Sequence, residues 1–377
     1  MRGSIAFIAG GTAGHVTPAL AAAAAYRAHA SEADILFVGA PGGSESRLVP
    51  AAGHRLAIVP GGPLFGVDAR EKVRSLLRTG TGVIAARRLL AAADVRLVLA
   101  FGGYASVAPM IAARSLGATV ALVESNATPG VTSRWLGRLA HRVHVADERC
   151  ARWFPAGRTR LLGVPVRPDL GAIGCARVQN AELHDPVRVL VLGGSLGSSF
   201  LNERAPELMA GVAARGIPVE VWHQTGARDA VPVRAAYETR GMPFRLVPFI
   251  DDVAKALSWA DFALTCAGAV TLAELACAAL PCLLVPLSSA SEDHQSANAA
   301  AFALRSGVPW VKERDWRVGA VAEQIAGILS EIERWRKLSR AMHALARPEA
   351  AHDLVVSCEA LVAARSSGER RAPDAVA

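Results

Sequence analysis

The sequence predicts an α/β protein with two similar Rossmann-like halves. Three observations carry that expectation. Short apolar runs alternate with helix-like stretches along the chain, the order of a parallel, doubly wound sheet. A strand, a glycine pair and a helix follow one another twice, from Ser4 and again from Val187. The copies are too degenerate for a sequence repeat, but they argue for two similar domains. A length of 377 residues exceeds one ordinary domain and suits two, each with its own core.

In the first half, a buried strand over 4–9 runs into Gly10-Gly11-Thr12-Ala13-Gly14-His15. A helix is expected from about Pro18, because proline suits a first helical position. Further strands are expected at 34–39, 55–59, 95–100, 119–123, 142–146 and 160–162. The strand at 95–100 leads into Phe101-Gly102-Gly103-Tyr104-Ala105-Ser106, and the one at 119–123 into Glu124-Ser125-Asn126. The second half opens at 187–192 and passes through Gly193-Gly194-Ser195-Leu196-Gly197 into a helix carrying Phe200, Leu201 and Asn202. Strands follow at 218–223, 244–247, 262–266, 282–287 and 308–311, then helices over 319–364. Two prolines make Gly163-Val164-Pro165-Val166-Arg167-Pro168 a hinge. The expected division is 1–163 and 164–340, with a helix over 341–364 returning to the first domain and a disordered tail over 365–377.

Composition narrows the class. The longest uncharged runs are broken by proline and polar residues, so no transmembrane helix is expected, and the start lacks the order of a signal peptide. Six cysteines show neither metal nor disulfide-framework spacing and read as reduced thiols. Charge is uneven. Residues 1–163 hold 19 Lys and Arg against 9 Asp and Glu, and the remainder 22 against 24, which gives the chain its net +8. So basic a first half calls for an anionic partner, whether nucleic acid, lipid surface or phosphorylated substrate, unless the charge is merely solvated.

The stretch from Trp259 to Asn298 organises the candidate site. A strand feeds a helix through Ala267-Gly268-Ala269, leaving backbone N–H groups that suit an anion. Glu274 sits one turn into that helix, where a carboxylate can accept two hydrogen bonds from a ribose diol. Gln295 and Asn298 share a helix face and can read sugar hydroxyls. Together these suggest a nucleotide-sugar pocket. The first glycine loop is not GxGxxG, and no acid ends the second strand, which counts against a dinucleotide-dependent hydride transfer. His15 stands at a helix entrance facing the presumed cleft, or else simply bridges the turn.

These residues belong to a longer series. GGTAGHVTPALA, FGGYAS, ESNATPGVTSRWLG, GVPVR, VLGGSLGSSFLN, WHQTG, PFIDDVAKALSWAD, AGAVTLAELACAALPCLLVP and DHQSANA, in that order, resemble the MurG family. Its members are N-acetylglucosaminyltransferases that turn lipid I into lipid II in peptidoglycan synthesis. The resemblance runs from Ser4 to about Phe302. It implies a GT-B architecture, two Rossmann-like domains with parallel sheets facing across a cleft. It also implies UDP-GlcNAc as donor substrate, held by the second domain, with no cofactor; no metal-ligand cluster appears in the sequence, so no obligatory metal is expected. Ile250 would lie against uracil, and Glu274 would take the ribose hydroxyls. Ser195 and the helix start Ala269, Val270, Thr271, Leu272 and Ala273 would face the diphosphate. Arg167 matches a donor-binding arginine and Gln295 a sugar-reading glutamine. Asn126 and the Thr12, Ala13, Gly14 loop would border the sugar.

The reaction so implied inverts the anomeric centre, with His15, Asn126 and Glu274 as catalytic candidates. His15 would be the general base, since its ordinary pKa of about 6.5 suits that role, or would orient the acceptor diphosphate instead. The implied partners are lipid I (undecaprenyl-pyrophosphoryl-MurNAc-pentapeptide), an anionic membrane surface and other cell-wall synthesis proteins, with no nucleic acid. The location would be peripheral, at the cytoplasmic face of the bacterial plasma membrane. Alternatives are a related lipid glycosyltransferase with another acceptor and a non-catalytic nucleotide-sugar-binding scaffold. The stretch 63–96 carries seven Lys and Arg (70, 72, 74, 78, 87, 88, 96) against three acids, mixed with Leu64, Phe65, Val67, Leu76, Leu77, Val83 and Ile84. It fits a lipid surface, or an ordinary amphipathic helix that buries its leucines. The sequence departs from the family at Ala13 (usually Gly), Ala267 (usually Ser) and Val164 (usually Asn), and Ser291-Glu292-Asp293 brings acids near the sugar end. A Cβ at Ala13 would crowd a phosphate or demand a negative φ.

Overall fold

The computed structural model describes residues 4–31, 33–63, 67–194, 196–288 and 293–367. Leu64, Phe65, Ser195, Ser291, Glu292 and the expected tail beyond 367 lie outside them. The chain forms two units: one runs to Arg167 and includes the residues from Glu349 on, and the other is Pro168–Pro348. The division therefore falls at Arg167/Pro168 rather than after Gly163, and residues 341–348 belong to the second unit.

The first unit contains β1 (Ser4–Ile8), α1 (Ala13–His29), β2 (Ile35–Gly39), α2 (Glu45–Ala51), β3 (Arg55–Ile58), α3 (Ala69–Ala92) and β4 (Val95–Ala100). It continues through α4 (Val107–Ser115), β5 (Thr119–Glu124), α5 (Val131–Leu139), β6 (Arg142–Val145) and β7 (Thr159–Leu161). The second holds α6 (Asp169–Gln179), β8 (Val187–Leu192), α7 (Ser199–Ala213), β9 (Val219–Gln224), α8 (Ala230–Glu238), β10 (Phe244–Val247) and α9 (Val253–Trp259). After these come β11 (Phe262–Thr265), α10 (Ala269–Cys277), β12 (Cys282–Leu284), α11 (His294–Ser306), α12 (Val318–Leu329) and α13 (Ile332–His343). The last helix, α14 (Ala350–Ser366), packs on α1.

Both sheets are wholly parallel, in the orders β3-β2-β1-β4-β5-β6-β7 and β10-β9-β8-β11-β12. Strands β1, β2, β5, β11 and β12 are buried along their whole length because helices cover both faces, whereas the edge strands β3, β7 and β10 are partly exposed. In β1, Ala6 and Ile8 join the core beneath α3 and α4, while Ile5 and Phe7 join the core beneath α1 and α14. From α14, Leu354, Val355, Cys358 and Leu361 complete that second face.

Two sequence expectations are corrected. The first helix begins at Ala13, and Pro18 lies inside it. Gly11, at φ +91°, makes the turn, and extended Thr12 lets the helix start at once. The expected strand at 308–311 is a single bridge between Leu284 and Trp310. Among the described residues, no helix is long and apolar enough to cross a membrane.

Helix α3 inverts the expected amphipathic arrangement. Its buried side is Ser75, Thr79, Gly82, Ala86 and Leu90, whereas Val73, Leu76, Leu77 and Ile84 are exposed among the basic residues. The contact is too close for leucines: a Cβ on Gly82 would lie 2.0 Å from Pro60 O.

Candidate active site

Strand order reverses in each sheet beside its first strand: β1 lies between β2 and β4, and β8 between β9 and β11. Loops leaving neighbouring strands at such a point diverge to opposite faces, leaving a crevice at the carboxyl ends where ligands bind. All four glycine- or alanine-rich loops singled out from the sequence leave these strands.

In the first unit, the loop after β1 and the loop after β4 meet around His15. Its Nδ1 lies 3.2 Å from Gly10 O and 3.4 Å from Thr12 Oγ1. A carbonyl only accepts, so Nδ1 carries the proton and Nε2 the lone pair. A Cβ on Gly103 would lie 3.3 Å from His15 Cε1, and both Gly102 (φ +84°) and Gly103 (φ +73°) are left-handed. Thr12 gives α1 no side-chain cap, and Gly14 is exposed beside it, so the first-turn amides can meet an anion. Ala13 is helical and outside the left-handed region, so its Cβ carries no backbone strain. Asn126 follows β5, and both its backbone N–H and its Nδ2 donate to buried Glu124 Oε1, at 2.9 and 3.0 Å. Arg167 closes the unit. Among the described residues its buried Nη2 has no hydrogen-bond partner, a state that an anionic group would relieve.

In the second unit, the loop after β8 packs backbone to backbone on the loop after β9. A Cβ on Gly197 would lie 2.2 Å from Thr225 O, and one on Gly226 2.2 Å from Leu196 O. Buried Asn202 secures this contact, donating to Thr225 O and Asp229 Oδ2, each at 2.8 Å. Its Oδ1 accepts from His223 Nε2 at 3.0 Å, and His223 Nδ1 accepts from Tyr237 Oη at 3.1 Å. Burial pushes His223 down to about 3, so it is neutral here. The N-cap of helix α10 is Gly268, which has no side chain to cap Ala269, Val270 and Thr271. Leu272 is buried and Ala273 half-buried, and Glu274 is buried one turn in.

The glutamine and asparagine of α11 act on the loop. Gln295 Oε1 accepts from Ala267 N and Leu287 N, both at 3.0 Å, and Asn298 Nδ2 donates to Ala267 O at 3.2 Å. Asn298 is thus a strut. With the Gln295 oxygen engaged twice, its amide nitrogen is the group suited to a sugar hydroxyl. Ile250 is buried yet outside the core built on β8, β9 and β11. Ser195 lies outside the described residues. Of the acids near the sugar end, Asp293 faces Lys312 at 3.5 Å. Sequence reasoning missed Glu45, Asn202 and His223 as buried polar supports of the glycine loops. For Glu45 the signal was an acid two residues beyond the Gly42-Gly43 pair. Among the described residues, no three His, Cys, Asp or Glu side chains converge to hold a metal.

The model of the glycosyltransferase family 28 N-terminal domain matches residues 5–145, and that of the C-terminal domain matches 188–354. A Nitratidesulfovibrio vulgaris protein named UDP-N-acetylglucosamine–N-acetylmuramyl-(pentapeptide) pyrophosphoryl-undecaprenol N-acetylglucosamine transferase is 38% identical over 92% of this chain and 94% of its own. The chain belongs to the MurG family. A Magnetococcus marinus protein of the same name is 35% identical over 94% of this chain and 96% of its own. Acinetobacter baumannii MurG aligns with TM-score 0.75 at 27% identity, covering 95% of this chain and all (100%) of that one. The Neisseria meningitidis UDP-GlcNAc 2-epimerase aligns with TM-score 0.65 at 11% identity over 95% and 99% of the two chains, a likeness of fold alone. Two Rossmann-like domains of this kind make the MurG-family architecture GT-B.

Proposed function

We propose that this MurG-family chain transfers GlcNAc from UDP-GlcNAc to the C4 hydroxyl of MurNAc in lipid I, with inversion, to give lipid II. The observation that carries the reading is the placement of the glycine loops at the reversal point of each sheet, with Glu274 one turn into the helix after β11. That arrangement suits a uridine diphosphate whose phosphates meet the α10 amides and whose ribose diol donates to Glu274. Arg167 and the Gln295 amide nitrogen would take further donor oxygens, with Ile250 against the base and Asn126 and the Thr12–Ala13–Gly14 turn bordering the sugar.

In the reaction the acceptor oxygen bonds to the anomeric carbon as the bond from that carbon to UDP breaks. The hydroxyl proton passes to His15 Nε2, the nitrogen that the Gly10 contact leaves basic. The α10 dipole favours the departing diphosphate. The acceptor lipid explains α3: Val73, Leu76, Leu77 and Ile84 are 56–68% exposed beside Arg70, Lys72, Arg74, Arg78, Arg87 and Arg88. An apolar stripe rimmed with cations suits an anionic cytoplasmic membrane face, each basic residue adding about 1 kcal/mol. The test is transfer of labelled GlcNAc to a panel of acceptors that includes a short-chain lipid I analogue and diacylglycerol. Lipid I is expected to be preferred, and His15→Ala to lower kcat roughly 10²- to 10⁴-fold. Tight UDP-GlcNAc binding without any transfer by folded protein would refute the proposal.

A further inference from the structure

We propose that Glu45 is a positioning residue for the transfer. It holds a peptide plane that orients and polarises His15, an inference that rests on His15 acting as the base. Glu45 opens α2 and is fully buried, at 0% exposure. Its Oε2 accepts from Gly11 N at 3.0 Å and its Oε1 from Ala40 N at 2.9 Å. The Gly11 N–H belongs to the same peptide group as the Gly10 carbonyl, and that carbonyl accepts from His15 Nδ1 at 3.2 Å. One flat amide therefore has a carboxylate on its N–H edge and an imidazole on its C=O edge. Hydrogen bonds in such a chain polarise one another, so the carboxylate makes the carbonyl a better acceptor and the imidazole a better base. Next door, Ser44 N–H donates to Gly11 O at 3.2 Å, pinning the left-handed Gly11 from its other end.

The surrounding glycines fit this purpose. A Cβ on Gly39 would lie 2.5 Å from Glu45 Cγ, one on Gly10 2.7 Å from Oε1, and one on Gly43 2.1 Å from Oε2. Glycines from two separate loops thus clear space for a single carboxylate.

The experiment measures kcat, and KM for UDP-GlcNAc, with a short-chain lipid I analogue. It uses the full chain as wild type, Glu45→Gln, His15→Ala and the double variant. Glu45→Gln keeps the shape but sets an NH₂ against a backbone N–H. It is expected to lower kcat roughly 10- to 100-fold, as misplacing a reacting group does, with donor KM within about twofold. In the His15→Ala background the same change is expected to cost no more than about twofold. Losses that multiply, or a rise in KM with kcat kept, would overturn the proposal. If His15→Ala itself retains wild-type kcat, the base assignment fails instead, and that outcome is read independently of the Glu45 arm. Gly43→Ala guards against a folding defect. It displaces the carboxylate without removing its charge and is expected to reproduce the kcat loss, so wild-type kcat in that variant also overturns the idea.

Discussion

The most quantitative expectation concerns His223. It is fully buried, bonded on both nitrogens to neutral partners, and burial pushes it down to about 3 from the ordinary value of about 6.5. Between those two values the unfolded chain binds a proton that the folded unit refuses, so stability is full above about pH 6.5 and falls as pH drops below it. The slope is about 1.4 kcal/mol per pH unit, so moving from about pH 7.5 to about pH 5 costs about 2 kcal/mol through this residue. The assay is urea unfolding at both pH values, on wild type and His223→Gln. Whatever the substitution does to absolute stability, the variant should lose about 2 kcal/mol less than wild type on acidification. An identical acid loss in both proteins would refute the assignment of a neutral, buried imidazole. His144 in the first unit is fully buried too and pushed down to about 3, by burial and then by Arg142 and Arg160. It should therefore leave a residual acid slope in the His223 variant.

Three further outcomes follow from the geometry. Glu274→Ala should weaken UDP-GlcNAc binding roughly 10- to 100-fold by calorimetry, since a charged acceptor of hydrogen bonds is worth about 1.5–3 kcal/mol, and unchanged affinity would remove the ribose assignment. Leu77→Glu, at a site 68% exposed, should leave the melting temperature nearly unchanged yet reduce sedimentation with phosphatidylglycerol vesicles about tenfold or more. Gly197→Ala would place a methyl 2.2 Å from Thr225 O at φ +81°, so it should destabilise the second unit by about 1–3 kcal/mol, read as a lower melting temperature.

What the sequence discloses and what it hides divide along a physical line. The glycine pairs after β1, β4 and β8 are legible because tight strand–helix turns restrict residue type locally, and the place of Glu274 in α10 because it stands at a fixed offset from such a turn. The expected start of α1, at Pro18, is five residues later than the real one at Ala13. A proline preference for first positions says nothing of the left-handed Gly11 that sets the actual start. For α3, periodicity identifies an apolar stripe but not what faces it. The deciding fact is the close approach at Gly82, a distance between segments far apart in the chain.

The polar groups beneath the glycine loops were the hardest to foresee, and the reason is energetic. A buried Glu45, Asn202 or His223 is costly unless every donor and acceptor finds a partner. Those partners are backbone amides, carbonyls and side chains, mostly supplied from other loops: Gly11 for Glu45, alongside Ala40 of its own loop, and Thr225 and Asp229 for Asn202. Only the assembled fold reveals that their bonds are met. Such groups fix loop geometry more sharply than apolar packing, because losing one partner strands a desolvated dipole or charge. Substituting them should therefore alter the shape of a glycine loop while leaving the sheet beneath it intact, and for Glu45 the double-variant cycle with His15 measures how far that change of shape reaches the reaction.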